Sequence, residues 1–145
     1  MEKKNQEAVV NAKDLPISTK HAVAICDLIR YKKPEEAIEL LEKVLEKKLA
    51  VPMKGEIPHR RAGVRAGKGK VAGRFPVKAS KIFIGLIKNL IANASVKGLD
   101  KDQLIISLAM ANKASRPYRR TRLAYGRKRF KRTHVTLKAS YKEKL

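Results

Sequence analysis

The sequence is short of the groups that catalysis, metal binding and export require. Cys26 is the only cysteine among 145 residues, which excludes an intramolecular disulfide and a cysteine zinc cluster. The three histidines, His21, His59 and His134, fall in unrelated segments and lack the spacing of a metal-ligand set. Acids run out early: of thirteen, only Asp100, Asp102 and Glu143 lie beyond Glu56. The sequence therefore offers no acid pair in a plausible cleft, its second half no credible general base, and no Ser/His/Asp arrangement is visible, so an enzyme is not expected. No apolar run approaches transmembrane length and no signal-peptide core opens the chain. An intracellular protein without membrane insertion, cofactor or metal is the expectation.

What the chain does have is positive charge. Its formal net charge is +22 and its pI about 10.4. A field of that size exceeds what solubility needs and points to nucleic acid or an anionic membrane surface as partner. The charge is uneven. Residues 1–56 carry eleven Lys/Arg against ten Asp/Glu, whereas residues 57–145 carry twenty-four against three. The second half is thus the one that meets the anion. At 16.3 kDa the chain is expected to form one domain over residues 1–145 with one core.

The charge is densest in residues 113–132. Lys113, Arg116, Arg119, Arg120, Arg122, Arg127, Lys128, Arg129, Lys131 and Arg132 put ten cations into twenty positions without one acid. An apolar run (104–110) precedes this stretch and a strand-like alternation (133–141) follows, the pattern of a β-hairpin whose arms outgrow their sheet. Burying such charges unpaired would cost several kcal/mol each, so a polyanion must neutralise them. Tyr118, Tyr125 and Phe130 interleave with the arginines. Arginine pairs bidentately with phosphate, and aromatic rings stack on unpaired bases. The alternative for Phe130 and Tyr118 is a cross-strand pair that holds the hairpin together. Tyr125, beside Gly126, falls in the expected turn.

The remaining segments supply a body. Residues 7–13 read as an edge strand. Ser18 is a good N-cap for a first helix, whose Ala22, Ile25, Cys26 and Ile29 follow helical spacing, with Leu28 beside them. On that face Cys26 is a small core filler rather than a nucleophile. Pro34 opens a second helix with Ala37, Ile38, Leu41, Val44 and Leu45 as its apolar stripe. Glu35, Glu39, Glu42 and Glu46 line another face, which is expected to be solvated and to point away from the polyanion. A third helix from about Val77 to Val96 carries Ala79, Ile82, Phe83, Leu86, Ile87, Leu90 and Ala94, widened by Ile91. It reads as the central helix, with Gly98 as its C′ residue.

Residues 51–75 form an insertion-like loop with Pro52, Pro58, five glycines and seven Lys/Arg. Gly63 to Lys68 is one residue short of a P-loop, and Gly69 stands where Ser or Thr must bind magnesium. Gly67-x-Gly69-x-x-Ala72 matches a loose dinucleotide fingerprint, but no buried strand precedes it and Phe75-Pro76 intervenes before the helix. Both readings are rejected. Glycine lets backbone approach phosphate while Arg60, Arg61, Arg65, Lys68, Lys70 and Arg74 supply charge, which suits RNA.

For the strands, Leu104, Ile106, Leu108 and Met110 are expected on one face. In the return strand Thr133, Val135, Leu137 and Ala139 share a face opposite His134, Thr136 and Lys138, which makes His134 exposed or RNA-facing. The expected fold is α+β: about three helices packed on a small three-stranded antiparallel sheet, from which a long basic β-hairpin extends. The globular part would comprise residues 7–112 and 133–141, the hairpin about 113–132, and the basic Gly/Pro loop about 51–75.

Three segments resemble a known family. Ile17-Ser-Thr-Lys-His-Ala22 with Asp27-Leu-Ile-Arg30 is similar to the opening helix of the large-subunit ribosomal proteins of the L-twenty-two family. Asn89-Leu-Ile-Ala-Asn-Ala94 followed by Gly98-Leu-Asp100 resembles the end of its central helix. Gly126-Arg127 with Lys131-Arg-Thr-His-Val-Thr136 resembles its returning hairpin arm, and the longer loop at 51–75 resembles the archaeal and eukaryotic form. The resemblance implies a structural constituent of the cytoplasmic large ribosomal subunit that binds its ribosomal RNA and helps assembly. It implies that the hairpin lines the nascent-peptide exit tunnel, with Arg119, Arg120, Arg122, Arg127 and Arg129 on RNA. Neighbouring ribosomal proteins would be partners, exit-site factors would meet the acidic face of the second helix, and no homo-oligomer is expected. The alternative is a DNA-architectural protein with a basic β-arm. That reading calls for an apolar wedge flanked by proline at the tip, whereas Pro117 lies near the base of the arm.

Overall fold

The computed structural model describes residues 7–53, 61–62, 72–122 and 126–141. In chain order the elements are β1 (Ala8–Leu15), α1 (Thr19–Ile29), α2 (Pro34–Leu45), β2 (Val51–Pro52), β3 (Arg61–Ala62), β4 (Ala72–Arg74) and α3 (Val77–Val96). A 3-10 turn (Lys101–Gln103), β5 (Leu104–Lys113), β6 (Tyr118–Arg120), β7 (Arg127–Arg129) and β8 (Thr133–Tyr141) complete the chain. The architecture is α+β, with three α-helices among the described residues and a main antiparallel sheet ordered β1–β8–β5.

The bounds of α2 and the end of α3 follow from local chemistry. Pro34 occupies the first turn of α2, with Glu35 and Glu36 beside it and Lys43 in the last turn. These charges complement the helix dipole at both ends. In α1, Ser18 stands at the N-cap in extended conformation, but its side chain makes no capping hydrogen bond. Helix α3 closes in a Schellman arrangement: Gly98 at φ +70 donates its N–H to Ser95, and Leu99 donates to Ala94. Glycine adopts that left-handed backbone without a Cβ penalty.

The core lies between one face of the sheet and the helices. Phe83, Leu86, Ile87 and Leu90 of α3, Ile25 and Ile29 of α1, and Leu41 and Val44 of α2 meet Leu104, Ile106, Ala109, Val135 and Leu137. α3 packs across β1 and β8 and also against α2, which makes it the central helix, while α1 lies against β5. Each fully buried aliphatic or aromatic side chain contributes about 1.5–3 kcal/mol by removal from water. The free edge of β1 is covered by α3, since Asn93 Nδ2 donates to the Val9 carbonyl and Lys97 Nζ to the Glu7 carbonyl. On β5, Tyr31 N–H donates to Ile106 O and Ile106 N–H donates to Lys32 O. Covered edges deter pairing with another chain.

β8 keeps the alternation read from its sequence, with Thr133, Val135, Leu137 and Ala139 buried. β5 does not. Its pairing with β8 slips between Ile106 and Leu108, leaving Ser107 as an extra residue. Ser107 Oγ donates instead to the Lys138 carbonyl at 3.3 Å. A bulge inverts every side chain beyond it. Ala109 therefore takes the buried place expected for Leu108 and Met110, and Met110 is 41% exposed.

The 51–75 segment also differs from a plain loop. It contributes a second antiparallel sheet, ordered β2–β4–β3. Val51 pairs with Arg74 and Pro52 with Gly73. A Cβ at residue 73 would stand 2.8 Å from the Ala50 Cβ and 3.1 Å from the Val51 carbonyl, so only glycine fits this crossing of strands. The two phosphate-motif candidates centred on residues 63–70 lie outside the described residues.

Candidate nucleic-acid interface

The arm grows out of the two strands that carry the core. β5 and β8 remain paired up to Lys113 and Thr133, where Ala114 N–H donates to the Arg132 carbonyl. Pairing resumes in β6 and β7, with Tyr118 opposite Arg129, Arg119 opposite Lys128 and Arg120 opposite Arg127. Beyond it Thr121 N–H donates to the Gly126 carbonyl. Between the two paired zones, residues 114–117 face residues 130–132, so the outgoing arm carries one extra residue. Pro117 sits in that irregular zone, where its missing N–H costs no ladder bond, and its carbonyl accepts from Phe130 N–H.

The ribbon is exposed along its length. Lys113, Arg119, Arg120, Arg122, Arg127, Lys128, Arg129 and Lys131 are all exposed, while Arg116 and Arg132 are half-buried. Two cross-strand pairs, Arg119–Lys128 and Arg120–Arg127, place like charges directly opposite one another, which destabilises a ribbon standing alone. Tyr118 offsets part of this. Arg129 lies over its ring at 4.3 Å from the centroid and Arg127 at 5.9 Å. The cross-strand partner of Tyr118 is therefore Arg129 and not Phe130. Phe130 follows β7 in the irregular zone. It is 45% exposed there.

At the foot of the arm the chain is stitched to α1. Thr133 Oγ1 donates to the Ile17 carbonyl at 3.0 Å, Thr19 Oγ1 stands 3.0 Å from Thr133 Oγ1, and Arg116 Nη2 donates to Thr19 Oγ1 at 3.2 Å. His134 is half-buried and its Nδ1 accepts from the Asp14 N–H at 3.1 Å. An imidazole accepting at Nδ1 carries its proton at Nε2 when neutral, so only Nε2 remains to meet a nucleic acid. Arg74, held by the β2–β4 pairing, lies close enough to His21 to lower that histidine's pKa, as does Lys131. Burial of the ring is the larger cause. Sequence reasoning set His21 aside as isolated, and no local signal foretold that it would join the base of the arm.

Of the sequence-predicted residues, Arg60, Arg65, Lys68, Lys70 and Tyr125 lie outside the described residues, and for Arg61 only the backbone is described. Cys26 is a core residue, 2% exposed. Burial pushes its thiol up to about 12, which removes it from nucleophilic chemistry. Among the described residues no helix is long and apolar enough to cross a membrane.

A compact α+β body from which the central strand β8 and its neighbour β5 run outward as an exposed cationic ribbon defines a class: proteins that carry a basic β-arm. Within it, the chain belongs to the ribosomal protein L22p/L17e family, whose model matches residues 10–139. Over 118 residues it is 47% identical to the large ribosomal subunit protein uL22 of Archaeoglobus fulgidus, covering 79% of this chain and 73% of that one. Identity to the protein of the same name from Nanoarchaeum equitans is 41% over 135 residues, covering 90% and 76%. For Neurospora crassa the figures are 40% over 119 residues, covering 78% and 61%.

Proposed function

We propose that this protein is a structural constituent of the cytoplasmic large ribosomal subunit, without catalytic activity. In this reading it binds large-subunit ribosomal RNA, helps the particle assemble, and lines the nascent-peptide exit tunnel with its hairpin. The observation that carries the proposal is continuity between anchor and arm. The strands that bury Leu104, Ile106, Val135 and Leu137 in the core run on into a ribbon of exposed arginines. A buried anchor fixes where the cations stand, and RNA phosphates supply the neutralisation that water alone gives poorly. Arg119, Arg120, Arg122, Arg127, Lys128 and Arg129 would meet RNA along the arm. Lys113, Arg116, Lys131, Arg132 and His134 would do so at its foot, and Arg60, Arg61, Arg65, Lys68, Lys70 and Arg74 from the basic loop. Neighbouring ribosomal proteins are the expected protein partners, and exit-site factors would dock on the acidic face of α2.

Co-sedimentation with the large subunit through a high-salt wash is the test. The intact chain should remain bound, whereas a variant with residues 119–129 replaced by a short turn should wash off. Release of the intact chain, or its recovery on DNA after crosslinking in extract, would favour the DNA-arm alternative.

A further inference from the structure

A strained residue marks a surface away from the arm. Tyr31, just past the end of α1, adopts φ +63 and is 74% exposed. A bulky aromatic residue rarely takes that left-handed backbone, which glycine adopts freely. The turn is held in place by the edge of β5. Tyr31 N–H donates to the Ile106 carbonyl at 2.9 Å, and Ile106 N–H donates to the Lys32 carbonyl at 3.0 Å. Arg30 Nη2 donates to the Ala109 carbonyl at 2.8 Å. Ile106 is fully buried, so the core fixes the strained backbone that carries the ring. Strain held by its surroundings gathers at binding sites. The fold makes little use of this side chain. Among the described residues the Tyr31 hydroxyl makes no hydrogen bond and no cation lies over the ring. Lys32 and the exposed Lys33 follow it, and neither pairs with a carboxylate among the described residues.

We propose that Tyr31 is a stacking platform for one unpaired RNA base, with Lys32 and Lys33 on the phosphates beside it. The inference rests on the RNA reading above and adds a base-contacting site on the body. That site is separate from the arm. Thr19, at the start of α1, bonds to Arg116 at the foot of the arm. The eleven residues of α1, at about 1.5 Å each, carry the chain roughly 16 Å from there before Tyr31 is reached. An aromatic face accepts any base, but only one whose own face is free, so the partner is single-stranded. A protein pocket could also cover a tyrosine. The two lysines without carboxylate partners favour a ligand that brings negative charge next to its flat apolar surface, as a nucleotide does.

The test follows the Tyr31 ring and the amides of Tyr31, Lys32 and Ile106 by NMR in the full chain. The probes are a short single-stranded RNA oligonucleotide and an abasic ribose-phosphate strand of equal length. The oligonucleotide should move the ring resonances upfield and saturably, whereas the abasic strand should move the arm amides and not the ring. Tyr31→Phe should keep the response of the Lys32 and Ile106 amides. Tyr31→Gly should weaken it about five- to a hundredfold, the range expected for one stacked base. Glycine should also keep or raise the melting temperature, because it relieves the left-handed backbone. A fall in melting temperature would show that the ring supports the fold and overturn the platform. Equal ring shifts from the abasic strand, or an unchanged affinity in Tyr31→Gly, would overturn it as well. If RNA shifts the amides of residues 119–122 and 126–129 but leaves Tyr31 unmoved, the platform is wrong while the RNA reading survives. If RNA moves neither set, both are wrong. A benzophenone amino acid in place of Tyr31 should crosslink to RNA in assembled particles, and crosslinking to protein alone would overturn the choice of ligand.

Discussion

Arg129 stands directly across the ribbon from Tyr118, with its guanidinium 4.3 Å from the ring centroid. This contact joins two arms that otherwise set Arg119 against Lys128 and Arg120 against Arg127. An exposed cation–π contact contributes about 0.5–1 kcal/mol, and an isolated two-stranded ribbon is marginal in water even when neutral. The arm is therefore expected to gain most of its order from RNA, with folding coupled to binding. Amide exchange in the free protein should be fast for residues 119–122 and 126–129 and slow once RNA is bound. Tyr118→Leu should remove what protection the free arm has. Strong protection without RNA would show a preformed arm.

Salt dependence measures how many of these cations meet phosphate. If about six do so, the log–log slope of affinity for naked RNA against salt is roughly −4 to −5. Replacing Arg127, Lys128 and Arg129 with glutamine should flatten that slope by about two. An unchanged slope would move the contact off the arm.

Glu35, Glu39 and Glu42 on α2 and Glu46 at its C-cap are exposed and form an acidic face that phosphate would repel. Glu39→Lys with Glu42→Lys should leave particle assembly intact while weakening recruitment of any basic exit-site factor. Failure of a normally folded double variant to enter the particle would place RNA against this face instead.

The Ser107 bulge makes a stability prediction that differs from that of unbroken alternation, which would bury Ile106 and Met110 alike. Ile106 is fully buried and Met110 is 41% exposed. Ile106→Ala should cost about 2–5 kcal/mol, as expected where a buried side chain leaves a cavity. Met110→Ala should cost far less, since most surface substitutions stay within about 0.5 kcal/mol. Chemical denaturation of both variants would show equal losses if strand β5 ran unbroken.

Cys26 gives the chain a pH signature. Burial raises its thiol from 9.0 to about 12, so the native state holds a proton that the unfolded chain releases above pH 9. By linkage its contribution is complete below pH 9 and is lost as pH rises toward 12. Cys26→Ala should remove this alkaline component from a plot of stability against pH. A thiol reagent at pH 8 should modify the wild-type protein only as fast as it unfolds.

Local chemistry determined a large part of this protein. The bounds of α3, the Gly98 terminus, the Pro34 start of α2, the alternation of β8 and the ten-cation arm all follow from residues near one another in the chain. Helical periodicity, left-handed backbone preference and charge density each act over a few residues. The tertiary structure alone decided the bulge at Ser107, the pairing of Tyr118 with Arg129, the small sheet around Gly73 and the stitching of Arg116 and Thr133 to the start of α1. Strand register is a property of two strands and the core they share, because slipping one residue exchanges a buried face for an exposed one. The stitching at the foot of the arm depends on how α1 and the hairpin dock together, and that docking is set by the packing of the whole core.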